Sequence, residues 1–254
     1  RFLAGSDSER AQDLMAMFEN PEIKAIICAR GGYGVNRVLP RLRPASIRRN
    51  PKIFVGASDV TLLLVYLNQK CSLVVFHGPM VAGNFGRHLM RKSKPQFLDL
   101  LTGQASGKTL ATSKARVLRP GAAKGVVAGG NLTLLCRSLG TPWEIQTRGK
   151  ILLIEDVNEK PYRIDGMLWQ LRQAGKFDDV RGIVFGEMID CQTPKTEPYD
   201  LDDIIGENFQ DDPFPILANF PIGHGKEMWT LPIGAEATLD APSKSLILQN
   251  CGVR

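Results

Sequence analysis

Short, unbroken apolar runs separated by segments of helical length constrain this chain most. IKAIICA (23–29), KIFVGA (52–57), LVVFHGP (73–79) and KILLIEDV (150–157) are too short for ordinary helices. They do not alternate polar with apolar residues, as strands with one wet face do. Between them, residues 8–19 carry Ala11, Leu14, Met15 and Phe18 at helical spacing, and DVTLLLVYLNQK (59–70) has helical length. This alternation predicts an α/β fold whose parallel sheet is covered by helices on both faces.

The second half repeats the pattern with more β structure. After GVVAGG, NLTLLCRSLG reads as a helix start, and YRIDGMLWQLRQAG as an amphipathic helix stopped by a glycine. VRGIVFGEM is a strand, and FPILANFPIGHG is a strand running into a glycine-flanked histidine. TLPIGAEATLD and SLILQN read as two β segments joined by a turn at APSK. Residues 103–124 are small, polar and basic with little periodicity, and read as a linker. The expected organisation is an N-terminal α/β domain over 1–102, this linker, and a C-terminal α/β domain over 125–254. With 43% hydrophobic residues in 254, each part has material for a core.

Composition narrows the function classes. No apolar run approaches the eighteen or so residues of a membrane span. The opening RFLAGSDSERAQDL lacks the apolar centre of a signal peptide and any initiator methionine, so the chain reads as a fragment or processed form. The five cysteines lie at least 43 residues apart, which fits neither a disulfide framework nor a zinc site and points to a reducing compartment. Part of the net charge of +6 sits in RVLPRLRPASIRRNPK (37–52). That stretch has no base-stacking aromatic residue and reads as a solvated connection, not a nucleic-acid surface.

In a parallel α/β sheet, sites form where loops leave the carboxyl ends of strands. Four corners qualify: ARGGYG (29–34), GASD (56–59), IEDVNE (154–159) and IGHG (222–225). Ser58 at a strand-to-helix corner is either a helix cap or a nucleophile on a tight turn, with the Asp59 N–H beside it as an oxyanion donor. Val60 stands where the α/β-hydrolase elbow has its second glycine. A serine nucleophile needs a base. Of the three histidines, His88 lies in a basic surface-like stretch, His77 ends a strand, and His224 sits between two glycines that let the ring turn inward. The base needs a carboxylate, and Glu155 or Asp156 can supply it, but not both, because strand alternation sends them to opposite faces. Such a charged pair is expected at or just past the strand end. ARGGYG departs from a dinucleotide fingerprint at Arg37, and no GK[ST] follows, so it reads as an approach of backbone to substrate. No metal motif and no cofactor motif is present.

Together, ARGGYGVNRVLP, PKIFVGASDVTLLL, FHGPM, GGNLTLL, LLIEDVNEKPYRIDGMLWQL and GHG resemble the LD-carboxypeptidases, the serine peptidases that include muramoyltetrapeptide carboxypeptidase and the microcin C immunity protein. The resemblance runs in order along nearly the whole chain. It implies a Ser–His–Glu triad of Ser58, His224 and Glu155, with the backbone N–H groups of Gly31 and Asp59 as oxyanion donors. It implies two domains with the active site between them, no cofactor and no metal. The implied reaction removes the terminal D-alanine from muropeptide tetrapeptides, in the cytoplasm, during wall recycling, by a homodimer with a small peptide substrate and neither nucleic acid nor membrane as partner. Arg30, with Gly32 beside it, is a candidate to meet a substrate carboxylate; the alternative for Arg30 is a structural ion pair. A hydrolase of a peptidyl-nucleotide antibiotic and a non-catalytic binding module of the same fold are the competing readings. The family also implies an opening strand–helix unit that this sequence does not contain.

Overall fold

Three of the apolar runs become β1 (Ala25–Ile27), β2 (Ile53–Gly56) and β3 (Val75–His77) in the computed structural model, which describes residues 2–85 and 90–253. His88 lies outside the described residues. The three strands are parallel, with Ile26 opposite Phe54 and Gly56 opposite His77. Phe54, Val55, Val75 and Phe76 are buried, as a sheet covered on both faces requires. Around it lie α1 (Asp7–Glu19), α2 (Pro44–Arg49), α3 (Thr61–Cys71) and α4 (Met90–Leu101). A capping box between Ser6 and Glu9 starts α1, and Phe18 near its end stacks on Phe54 with ring centres 6.1 Å apart. The basic stretch 37–52 is largely engaged within the chain. Arg37 pairs with Asp7 and Arg43 with Glu19, while Arg48 Nη1 donates to the Lys70 carbonyl at 2.7 Å.

The second sheet has eight strands. Its centre is β6 (Ala122–Asn131), β7 (Lys150–Val157), β8 (Gly182–Ile189) and β9 (Ile216–Gly223), all parallel. Helices α5 (Leu132–Ser138), α6 (Pro161–Gln173) and α7 (Leu201–Asn208) intervene in chain order. β4 (Thr109–Ala111) and β5 (Arg116–Arg119) form its two edges. The stretch 103–124, expected to be a linker between domains, is therefore part of the second sheet. Both of its strands pair with partners about a hundred or more residues later: β5 with β9, and β4 with β12 (Ser245–Leu248).

TLPIGAEATLD also divides. β10 (Leu231–Ile233) closes the first sheet, antiparallel to β3, whereas β11 (Glu236–Asp240) pairs with β6 and β12 in the second. Between them Gly234, at φ +97°, donates its N–H to the Val127 carbonyl at 2.8 Å. The chain thus leaves one sheet and enters the other within a few residues, at a backbone angle that glycine adopts without penalty. The turn expected at APSK joins β11 to β12, with Ser243 bonded to the Asp240 carboxylate through both its N–H and its hydroxyl.

Helix α3 is buried nearly all round, because it packs on α5 and β6 of the second sheet as well as on its own. Leu62, Leu64 and Leu67 are essentially inaccessible. The helix that follows the GASD corner is therefore clamped between both halves. Leu64→Ala should lower the unfolding free energy by about 2–5 kcal/mol, the range for an unfilled leucine cavity, as read by urea denaturation.

Candidate active site

The GASD corner is built tightly. Ala57 is extended, and Ser58 then turns to φ 61° to open a single turn of 3₁₀ helix ahead of α3. A non-glycine residue held in the left-handed region costs on the order of 1 kcal/mol or more, and such outliers gather at functional positions. Neither Ser58 nor Asp59 caps the helix through its side chain. The Asp59 carboxylate instead reaches back to the glycine loop and accepts the Val35 N–H at 3.0 Å. A Cβ at Gly56 would lie 2.4 Å from Val60 Cγ1, so a side chain there would prise open the turn. Gly31 faces Ser58 so closely that a Cβ on it would sit 2.8 Å from Ser58 Cβ and 3.0 Å from Oγ. The glycine loop thus brings bare backbone to the serine.

Glu155 and Asp156 lie within β7, and both are buried. They stand in the last residues of the strand and not past its end, because each carboxylate has polar partners that offset the cost of burying a lone charge. Alternation sends them apart. Asp156 accepts from Asn131 Nδ2, the Thr133 N–H and hydroxyl, and the Val157 N–H, all at 2.8–2.9 Å, and so fastens the start of α5 to β7. Burial pushes its pKa up against those bonds.

Glu155 faces the other way, and His224 Nδ1 lies 2.7 Å from its Oε2. Burial pushes the Glu155 pKa up, but the His224 hydrogen bond and the nearby His77 outweigh it and hold the carboxyl at about 2. At 3.6 Å, the approach of His77 Nε2 to Oε1 is too long for a formed hydrogen bond, so His224 is the stronger partner. For His224, burial pushes the pKa down; the bond and charge of Glu155, with a smaller contribution from Asp156, reverse this and raise it. An ionised carboxylate only accepts, so the Nδ1 proton is donated to Glu155 and Nε2 is left to accept another. The glycines around His224 admit this contact: at Gly223, φ +109°, a Cβ would lie 2.6 Å from Glu155 Oε2.

Ser58 and His224 line one cleft of about 390 Å³ with Arg30, Gly31, Gly32, Met80, Ala82 and Gly83. Among the described residues, no hydrogen bond joins Ser58 Oγ to the His224 ring. The candidate residues of four separate corners are thus gathered at one place, with Ser58 from the first sheet and Glu155 and His224 from the second. Sequence reasoning did not find the segment after β3. Its Val81 and Ala82 N–H groups bond to the carbonyls of Cys28 and Ala29 at 3.1 and 2.7 Å, which lays Met80, Ala82 and Gly83 along the cleft wall. The FHGPM motif, which leads into this segment, was the available signal.

A serine on a strained corner and a carboxylate-bound histidine, brought to one cleft from two sheets, are the parts that a hydrolase of the serine peptidase class requires. Residues 1–78 match the family model of the LD-carboxypeptidase N-terminal domain, and residues 124–239 that of the LD-carboxypeptidase C-terminal domain. The chain belongs to the LD-carboxypeptidase family and is a serine carboxypeptidase. It is 39% identical over 250 residues to a probable murein peptide carboxypeptidase of Bacillus subtilis, covering 98% of this chain and 78% of that protein. Its backbone superposes on muramoyltetrapeptide carboxypeptidase from Oxalobacter formigenes with a TM-score of 0.86 at 30% identity, covering 97% and 84% of the two chains. The microcin C7 self-immunity protein MccF, in its wild-type apo state, gives 0.90 at 28% identity over 98% and 83%. Among the described residues no helix is long and apolar enough to cross a membrane.

The coupled pair makes a pH prediction. A depressed carboxyl pKa contributes stability above its ordinary value of 4.5, and this is lost as pH falls towards about 2. A raised histidine pKa contributes stability below 6.5, and this is lost as pH rises through the folded value. The stability advantage of the wild type over Glu155→Gln should therefore peak between pH 4.5 and 6.5. Urea denaturation across pH would show it decline on both sides.

Proposed function

We propose that this chain removes the terminal D-alanine from muropeptide tetrapeptides, in wall recycling, through a Ser58–His224–Glu155 triad. The observation that carries this reading is the 2.7 Å contact of His224 Nδ1 with a buried Glu155, in a cleft shared with a serine at φ 61°. His224 Nε2 takes the Ser58 proton as Oγ attacks the scissile carbonyl. Glu155 stabilises the imidazolium that forms and fixes its tautomer. The oxyanion is received by the N–H groups of Gly31 and Asp59, one on each side of Ser58. The protonated ring then gives its proton to the departing amine, and water releases the acyl group by the reverse sequence. Arg30 stands on the cleft wall and, among the described residues, forms no ion pair, which suits it to the free carboxylate of a terminal D-alanine.

The likeness to the microcin C7 self-immunity protein supports a second reading, hydrolysis of a peptidyl-nucleotide conjugate. The higher identity to the Bacillus subtilis protein favours the carboxypeptidase reading.

The test is D-alanine release from a muropeptide tetrapeptide, beside the peptidyl-nucleotide conjugate. Ser58→Ala should lower kcat by about 10⁴-fold or more while the variant remains folded. Because His224 works as a neutral base with a raised pKa, the acid limb of kcat/KM should have its midpoint above pH 6.5. Turnover of the conjugate alone would move the assignment to the second reading. Full activity in Ser58→Ala would overturn both.

A further inference from the structure

His77 is fully buried at the end of β3, and neither of its ring nitrogens has a hydrogen-bond partner among the described residues. Glu155 Oε1 is also buried and without a hydrogen bond. These orphaned groups face each other, with Nε2 and Oε1 3.6 Å apart. A buried polar group left unbonded costs roughly 1–3 kcal/mol, so native interiors rarely leave two such groups side by side without a purpose. The contact also spans the two halves of the molecule. His77 belongs to the first sheet, where it lies in register beside Gly56, two residues before Ser58, and opposite Leu231 of β10. Glu155 belongs to the second sheet, whose β9 carries His224 at its end.

We infer that His77 is a positioning residue: it donates from Nε2 to Glu155 Oε1 and so aligns the acid–base pair of the second sheet with the nucleophile of the first. The tautomer that suits this contact carries its proton on Nε2. A shift of a few tenths of an ångström brings the pair within hydrogen-bond range. Glu155 is then gripped at both oxygens, by His224 on Oε2 and by His77 on Oε1. Its carboxylate plane is fixed, and with it the ring it orients. Gly186 and Gly223 press bare backbone against Glu155 at its Cβ and its Oε2.

The inference rests on the triad reading above, and one of its two readouts does not depend on substrate. Removing a donor from Oε1 leaves more of the carboxylate charge to act on His224, whose pKa then rises. The charged groups around His224 among the described residues include Glu155 and Asp156 of β7, Glu187 of β8 beneath Gly225, and Arg30 across the cleft; Lys114 and Glu227 bear on Glu187 in turn. All stay in place when His77 is replaced.

The experiment compares His77→Leu, which fills the space without a donor, with His77→Gln, whose amide nitrogen reaches the Nε2 position. His77→Asn, whose amide reaches only the Nδ1 position, replaces the leucine variant if that does not fold by circular dichroism. Two quantities are measured: kcat and KM for D-alanine release, and the titration midpoint of His224 by ¹⁵N NMR without substrate. His77→Leu should lose kcat by roughly 10- to 100-fold with KM nearly unchanged, as expected for misalignment. Its His224 midpoint should move to higher pH, and His77→Gln should restore both quantities most of the way.

Equal loss in the leucine and glutamine variants with an unmoved midpoint would make His77 a packing residue and overturn the inference. Parental kcat and midpoint in a folded leucine variant would do the same. If the parent enzyme releases no D-alanine, it is the substrate reading that fails, and the His224 midpoint alone then decides the role of His77.

Discussion

A single negative charge sealed from water organises this molecule. Glu155 has no contact with solvent, and an ion of its size costs several kcal/mol to bury even after the protein relaxes around it. The fold meets that cost by bringing two histidines to its two oxygens, from different strands and different sheets. Gly223 and Gly186 give way on either side to let the carboxylate in. The strand that carries Glu155 shows an irregular register beside it, between Ile154 and Asp156, where β7 meets β8. The neighbouring carboxylate, Asp156, uses three hydrogen bonds to hold the helix that starts beside it, and a fourth to its own strand neighbour Val157.

The serine lies under a different constraint. Its position is fixed by backbone strain and not by charge. The left-handed turn at Ser58 is held by a buried helix behind it, a glycine pressed against it and a carboxylate, Asp59, tied to the opposing loop. Strain of this kind persists only where the surroundings over-determine it. Division of labour between the sheets follows. One half carries a half-buried serine on a strained corner; the other carries a buried acid and the ring bonded to it.

Much of this was legible in the sequence, and the limits are physical. The central strands are apolar on both faces, which no amphipathic helix imitates over so short a run, and they lie where the sequence put them. Glycine on both sides of His224 foretold a ring turned inward. Strand alternation foretold that only one of Glu155 and Asp156 could reach it, though not which. The cap and nucleophile readings of Ser58 could not be separated locally, because residue type does not reveal φ at position 58. The strands within 103–124 were missed because each is three or four residues long at a sheet edge, and their partners lie roughly a hundred or more positions away. The pairing of His77 with Glu155 joins residues of different sheets, and no local pattern encodes it.

The return of β10 to the first sheet has a consequence for how the protein is made. Until residue 233 has left the ribosome, β3 is an open edge, and the row of N–H and C=O groups along it is unpaired. The half that bears Ser58 is therefore an unfinished sheet until long after β3 itself has been made. By the time β10 completes it, the strand bearing Glu155 and the loop bearing His224 have already emerged. The strand that completes the first sheet follows closely on the loop that carries His224. The order of the strands along the chain thus leaves the edge of the first sheet open until Glu155 and His224 are both made.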